Sequence, residues 1–108
     1  HDNNTVNGWY EQELTDGDKA VFLRYIGKDG PDPRGAHRDV VRLCLMSRGR
    51  TALVPAQDVL GLDGEHRMNT PSTANGNWRW RLRPGEFDVA GLGWFRELTR
   101  LFGRGSDF

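Results

Sequence analysis

Thr51-Ala52-Leu53-Val54-Pro55 is the stretch that decides the fold. The run is short and apolar, and it lacks the polar–apolar alternation of a half-solvated strand. That pattern predicts a strand buried on both faces, as in a parallel sheet. A strand cannot satisfy its own backbone N–H and C=O groups, and no second run of this kind stands in the 108 residues. The expected class is therefore α/β, with the rest of the sheet supplied from outside this sequence.

Two helices are expected before the run. Thr15 followed by Asp18 reads as a capping box, opening a helix to about Ile26 with Gly27 as its stop. Its apolar stripe is Val21, Phe22, Tyr25 and Ile26. Gly30-Pro31-Asp32-Pro33-Arg34-Gly35 is too dense in turn formers to be regular. A second helix runs from about Ala36 to Arg48, with Val40, Leu43, Cys44 and Ser47 on one face and Gly49 after it. After the run, Gln57–Leu60 suits a single helical turn. Residues 61–77 make a long loop rich in Gly, Asn, Thr and Pro, and loops of that length are usually functional or disordered. A last helix is expected over about Val89–Phe102, with Leu92, Phe95, Leu98 and Phe102 inward, and residues 103–108 as a frayed tail.

Composition narrows the function. Fifteen basic and fifteen acidic residues cancel, which leaves no general attraction to nucleic acid or to an anionic membrane surface. No segment approaches the roughly 20 apolar residues of a membrane span. The single cysteine, Cys44, cannot pair within the chain, which fits a disulfide-free setting such as bacterial cytoplasm or a plastid. His37 and His66 stand alone at no ligand spacing, so no zinc or other metal is expected. Glycines 91 and 93 open no phosphate loop, and no organic cofactor is implied. Nothing here sets an oligomeric state. The opening His1-Asp2-Asn3, without an initiator methionine, suggests a piece of a longer chain.

Four segments give the reading its chemistry: His1-Asp2-Asn3, Pro55-Ala56-Gln57-Asp58-Val59-Leu60-Gly61-Leu62, Arg67-Met68-Asn69-Thr70-Pro71 and Gly76-Asn77-Trp78-Arg79-Trp80-Arg81-Leu82. In order and spacing they resemble the C-terminal region of the 4-α-glucanotransferases, also called amylomaltases or disproportionating enzymes. The likeness extends to about Phe102. It implies the C-terminal part of an interrupted (β/α)₈ TIM barrel: the end of strand 7 at His1-Asp2, strand 8 at Thr51–Pro55, and outer helices. A whole barrel takes about 250 residues, so residues 1–108 would form one incomplete unit of the catalytic barrel.

The resemblance also implies an activity, transfer of α-1,4-glucan segments from a donor to an acceptor chain with retention of configuration. Such transfer uses a nucleophile and an acid/base about 5–5.5 Å apart. In the family both stand on earlier strands, so this chain alone would be inactive. Asp2 matches a third acid that stabilises the transition state, while His1 and Asn69 match substrate-binding groups. The loop departs from the family at Ser72, where glycine is commoner. Simpler readings stand beside these: Asp2 as a solvated acid, Asn69 as a turn stabiliser before Pro71, Trp9 and Tyr10 as packing groups. The rival function is a stand-alone nucleic-acid- or glycan-binding module built on a Trp78/Arg79/Trp80/Arg81 strand. A third possibility keeps the fold but hydrolyses instead of transferring.

Overall fold

The computed structural model describes residues 1–88 and 91–105. Thr5 starts the first element: its hydroxyl accepts from the Gly8 N–H at 3.1 Å, forming the helical turn α1, Val6–Gly8. The turn widens into a π-helical stretch, Trp9–Glu13, where the Leu14 N–H reaches back to the Trp9 carbonyl at 3.3 Å. This widening presents both Trp9 and Tyr10 to Phe22, edge-on at 5.8 and 5.7 Å.

Helix α2, Asp16–Ile26, opens on the expected capping box. The Asp18 N–H donates to Thr15 Oγ1 at 3.1 Å, and the Thr15 N–H donates to Asp18 Oδ2 at 3.2 Å. Gly27 ends it with φ 73°, the left-handed conformation that glycine adopts without a Cβ clash. The stripe differs from expectation. Phe22 and Ile26 are half-buried as expected, but Val21 and Tyr25 are exposed and Leu23 is half-buried in their place. The rings at positions 9 and 10 seat Phe22 and so set the rotation of the helix.

Helix α3, Ala36–Met46, is also rotated from expectation. Its buried side chains are Ala36, His37, Asp39, Val41 and Leu45. The face predicted from Val40, Leu43, Cys44 and Ser47 is only half-buried, with Ser47 exposed. Apolar residues at 40, 41, 43, 44 and 45 cover most of the helix, so period alone does not choose a face. The choice is made by His37, which a count of apolar residues leaves out.

His37 is not solitary. Its backbone N–H donates to Asn7 Oδ1 at 3.0 Å, and its ring Nδ1 lies 3.1 Å from Asn7 Nδ2. Asn7 Nδ2 also donates to the Gly61 carbonyl at 3.0 Å. Gly61 has φ +71°, and a Cβ there would come within 2.8 Å of the imidazole, so both backbone and space require glycine. Beside this joint lies α4, Ala56–Val59, the single turn expected after Pro55. Its Asp58 is buried and accepts from the Val6 N–H at 2.8 Å, which caps α1 from 52 residues away.

The last helix, α5, spans Gly93–Leu101, with Leu92, Phe95, Leu98 and Phe102 half-buried as expected. The anticipated start at Val89 lies outside the described residues. Trp94 docks α5 on α3: its ring stands edge-on to His37 at 5.5 Å, with the Arg38 guanidinium 4.6 Å over its face. Within the segment expected to fray, Arg104 donates to the carbonyls of Leu45, Ser47 and Gly49, satisfying acceptors at and beyond the open end of α3. Residues 106–108 lie outside the described residues.

No strand forms among the described residues, so the α/β expectation is not met within this chain. Thr51–Pro55 has no neighbouring strand to complete its hydrogen bonds. Exposure alternates along it, with Ala52 and Val54 half-buried and Leu53 86% exposed. The Trp78–Arg81 segment is likewise not a strand. Among the described residues the buried apolar side chains are Ala36, Val41, Leu45 and Val59. The radius of gyration is 14.9 Å, against about 13 Å for a compact domain of roughly 100 residues.

The joint predicts a pH response. Burial, then the nearby Arg38, pushes His37 below the ordinary imidazole value of 6.5, outweighing the opposite pull of Asp32 and Asp39. The folded state thus favours neutral His37. That stability is fully present above about pH 6.5 and is lost as pH falls from there toward the depressed value. Burial raises Asp58, which works in the opposite sense and offsets part of the loss at the acid end. Urea unfolding of the full polypeptide between pH 7.5 and 5.5 should show declining stability that His37→Gln flattens. Equal slopes would mean that His37 titrates as freely as in the unfolded chain.

Candidate functional site

The fold brings together the three residues singled out by sequence. Asn69 Nδ2 donates to Asp2 Oδ1 at 2.7 Å across 67 residues, and His1 Nε2 lies 3.2 Å from the same oxygen. Asp2 Oδ2 takes no hydrogen bond from the described residues, and the side chain is 62% exposed. One face of the carboxylate is therefore anchored and the other is open.

Each segment is fixed by local chemistry. On the His1-Asp2 side, the Thr5 N–H donates to Asn4 Oδ1 at 2.8 Å, and Asn4 Nδ2 donates to Glu13 Oε2 at 2.9 Å. On the loop side, Asn77 closes a ring, accepting from the Thr70 N–H at 2.8 Å and donating to the Thr73 carbonyl at 3.2 Å. Between these anchors Ser72 has φ 65°, a conformation that costs a residue other than glycine about 1–3 kcal/mol. The backbone keeps a glycine-like shape although the side chain is serine.

Two contributors stand outside the three residues matched to the family's site. Arg67 donates through Nη2 to the Asp2 carbonyl at 2.8 Å and through Nε to the Asn69 carbonyl at 2.9 Å. A lone arginine in a polar loop carries no periodic signal, and only the convergence of two distant segments reveals its partners. The Trp78 ring packs against His1, tilted by 45°, with ring centroids 4.7 Å apart. Its φ of 61° is unusual for so bulky a residue, and its N–H donates to the Met68 carbonyl at 2.6 Å. Arg81 folds back on the carbonyls of Trp78 and Trp80. Trp9 and Tyr10 both pack on Phe22, and Trp9 also borders the cavity beside Asp2.

A cavity of about 660 Å³ opens beside the group, bounded by Asp2, Asn3, Trp9, Arg67, Thr70 and Pro71. A second of similar size lies away from it, between α2, α3 and α5. No three His, Cys, Asp or Glu side chains converge on a metal position among the described residues, and no described helix is long and apolar enough to cross a membrane. Gln57 Nε2 donates to the His66 carbonyl at 3.3 Å, and His66 pairs with Asp63 at 3.0 Å, stiffening the start of the loop.

The chain matches the solved amylomaltase from Streptococcus agalactiae, described in complex with acarbose, with a TM-score of 0.87 and 32% identity, over 98% of this chain and 21% of that one. A family model described as 4-alpha-glucanotransferase matches residues 1–87. The 4-alpha-glucanotransferase of a Synechocystis strain is 38% identical over 96% of this chain and 20% of its own length. That of Thermus thermophilus is 43% identical over 80% of this chain and 18% of its own. The chain belongs to the 4-alpha-glucanotransferase family, and it spans about a fifth of the length of the curated relatives it matches.

The Asp2–Asn69 contact has a direct test. Asn69→Asp places a second carboxylate at hydrogen-bond distance from the first, and two like charges so close cannot both ionise at ordinary values. Carboxyl titration by NMR in the full polypeptide should show one of the pair markedly raised. Two ordinary titrations would show that the residues do not touch.

Proposed function

We propose that the chain is the C-terminal part of the catalytic barrel of a 4-α-glucanotransferase, supplying strand 8, the outer helices and one wall of the sugar cleft. The exposed Leu53 and the small buried core support the reading that the remaining sheet comes from other residues. The observation that carries the function is the convergence of Asp2, His1 and Asn69 in a chain of this family. The substrates are α-1,4-glucans as donor and acceptor: maltooligosaccharides, starch or glycogen. A bacterial cytoplasm or a plastid is the setting. Nucleic acid and membrane have no role in this reading.

The chemistry follows from the charges. A carboxylate elsewhere in the enzyme attacks the anomeric carbon while a carboxylic acid protonates the departing oxygen. That second group later activates the acceptor hydroxyl against the covalent glucosyl-enzyme. The sugar ring becomes cationic on the way to each bond exchange. Asp2 presents the open face of its carboxylate to the ring hydroxyls and to that developing charge. Its other oxygen is already held by Asn69 and His1, so little reorganisation accompanies the reaction. His1, held against Trp78, and Asn69, which can both donate and accept, are placed to bind sugar hydroxyls. Carboxylates carry all the charge in this scheme, which calls for no metal and no organic cofactor. Residues 1–108 alone lack the nucleophile and the acid/base and should be inactive.

Two measurements follow. Asp2→Asn in the full enzyme should lower turnover by about a hundredfold or more, the scale for loss of a preorganised charge-stabilising group, with little change in melting temperature. Retention of most activity would remove Asp2 from the reaction. Maltotriose incubated with the full enzyme should be redistributed into longer and shorter chains. Accumulation of reducing ends instead, with no longer products, would mark a hydrolase on the same fold.

A further inference from the structure

We propose that Arg67 is the positioning residue that sets Asp2 against Asn69. This deepens the transferase reading and rests on it. The Nε–H and one Nη2–H of a guanidinium point the same way along one edge of a rigid plane. In this chain that edge spans two carbonyls, that of Asp2 at 2.8 Å and that of Asn69 at 2.9 Å. These are the two residues whose side chains meet at 2.7 Å. One cation therefore ties their backbones while one amide ties their side chains. The fork is planar, so both carbonyls must lie side by side. The two segments are then fixed in distance and in rotation, which a single hydrogen bond between side chains does not achieve.

The placement serves no other evident purpose. Arg67 holds neither the joint at His37 nor the buried core; among the described residues its hydrogen bonds go to these two carbonyls. Among the described residues it makes no ion pair with a carboxylate, so its charge strengthens hydrogen bonds instead of neutralising an acid. It also borders the cavity beside Asp2, half-buried against the loop it belongs to. A lysine in its place keeps the charge but offers no rigid pair of parallel donors.

A double-mutant cycle with hydrogen exchange, both on the full enzyme, tests the assignment. Arg67→Ala and Arg67→Lys should each lower kcat for maltotriose redistribution about ten- to a hundredfold, with a smaller change in KM. In either background Asp2→Asn should cost only about tenfold more, because the carboxylate is already misplaced. Additive losses, with Asp2→Asn still costing its full hundredfold or so, would overturn the proposal. Exchange separates this from failure of the functional reading. Loss of Arg67 should speed amide exchange in residues 2–5 and 67–73 while leaving α2 and α3 unchanged. Unchanged exchange there overturns Arg67 as the link even if the enzyme transfers glucan. Accelerated exchange in an enzyme with no transferase activity sinks the transferase reading and leaves the link standing. The lysine variant covers the case in which the alanine variant does not fold.

Discussion

A buried polar joint holds the chain together. Thr5, His37 and Asp58 are each about 95% buried, and polar groups removed from water cost about 1–3 kcal/mol apiece unless they are bonded. The fold bonds them to one another's segments. Asp58 accepts the Val6 amide, Asn7 spans His37 and Gly61, and Thr5 caps its own turn. Three stretches about 30 and 50 residues apart are locked by these contacts, with only four buried apolar side chains among the described residues to help. Tight approach makes this feasible. Gly8 passes so near Gly64 that a Cβ would sit 2.8 Å from its Cα, and Gly61 lies against the imidazole.

The candidate site hangs from that joint on two short arms. One arm runs from Val6 back through Asn4 to Asp2. The other runs from Gly61 forward through the 3₁₀ turn Gly64–His66 to Arg67 and Asn69. Asp2 and Asn69 meet because both arms start from one rigid point and are bridged again at their ends by Arg67. Rotation of α3, which brings His37 into the joint, therefore bears on the rim as well as on the helix packing. The strained backbone at Ser72 and Trp78 lies on the loop side, where local hydrogen bonds over-determine it.

Local signals in the sequence were legible where one residue type has one job. The Thr15/Asp18 box, the Gly27 stop, the turn after Pro55 and the inward row on α5 are of this kind. The faces of α2 and α3 were not, because partners outside each helix choose them: Trp9 and Tyr10 for α2, Asn7 and Trp94 for α3. Thr51–Pro55 carries the composition of a buried strand, but strand structure depends on a neighbour, and none is present among the described residues. At the site, His1, Asp2 and Asn69 were visible through family likeness. Arg67 acts through backbone carbonyls, which leave no spacing signature, and the alternation at Trp78–Arg81 pointed to a strand, not to the ring contact between Trp78 and His1.

In the proposed transferase the open oxygen of Asp2 meets sugar. A crystal structure of the full polypeptide with an α-1,4-glucan oligosaccharide in its cleft would test it most directly. The account predicts Asp2 Oδ2 within hydrogen-bond distance of hydroxyls on the ring at the point of cleavage, with Asn69 contacting the same or the adjoining ring. An ordered oligosaccharide in the cleft that leaves Asp2 bonded only to protein and water would contradict it.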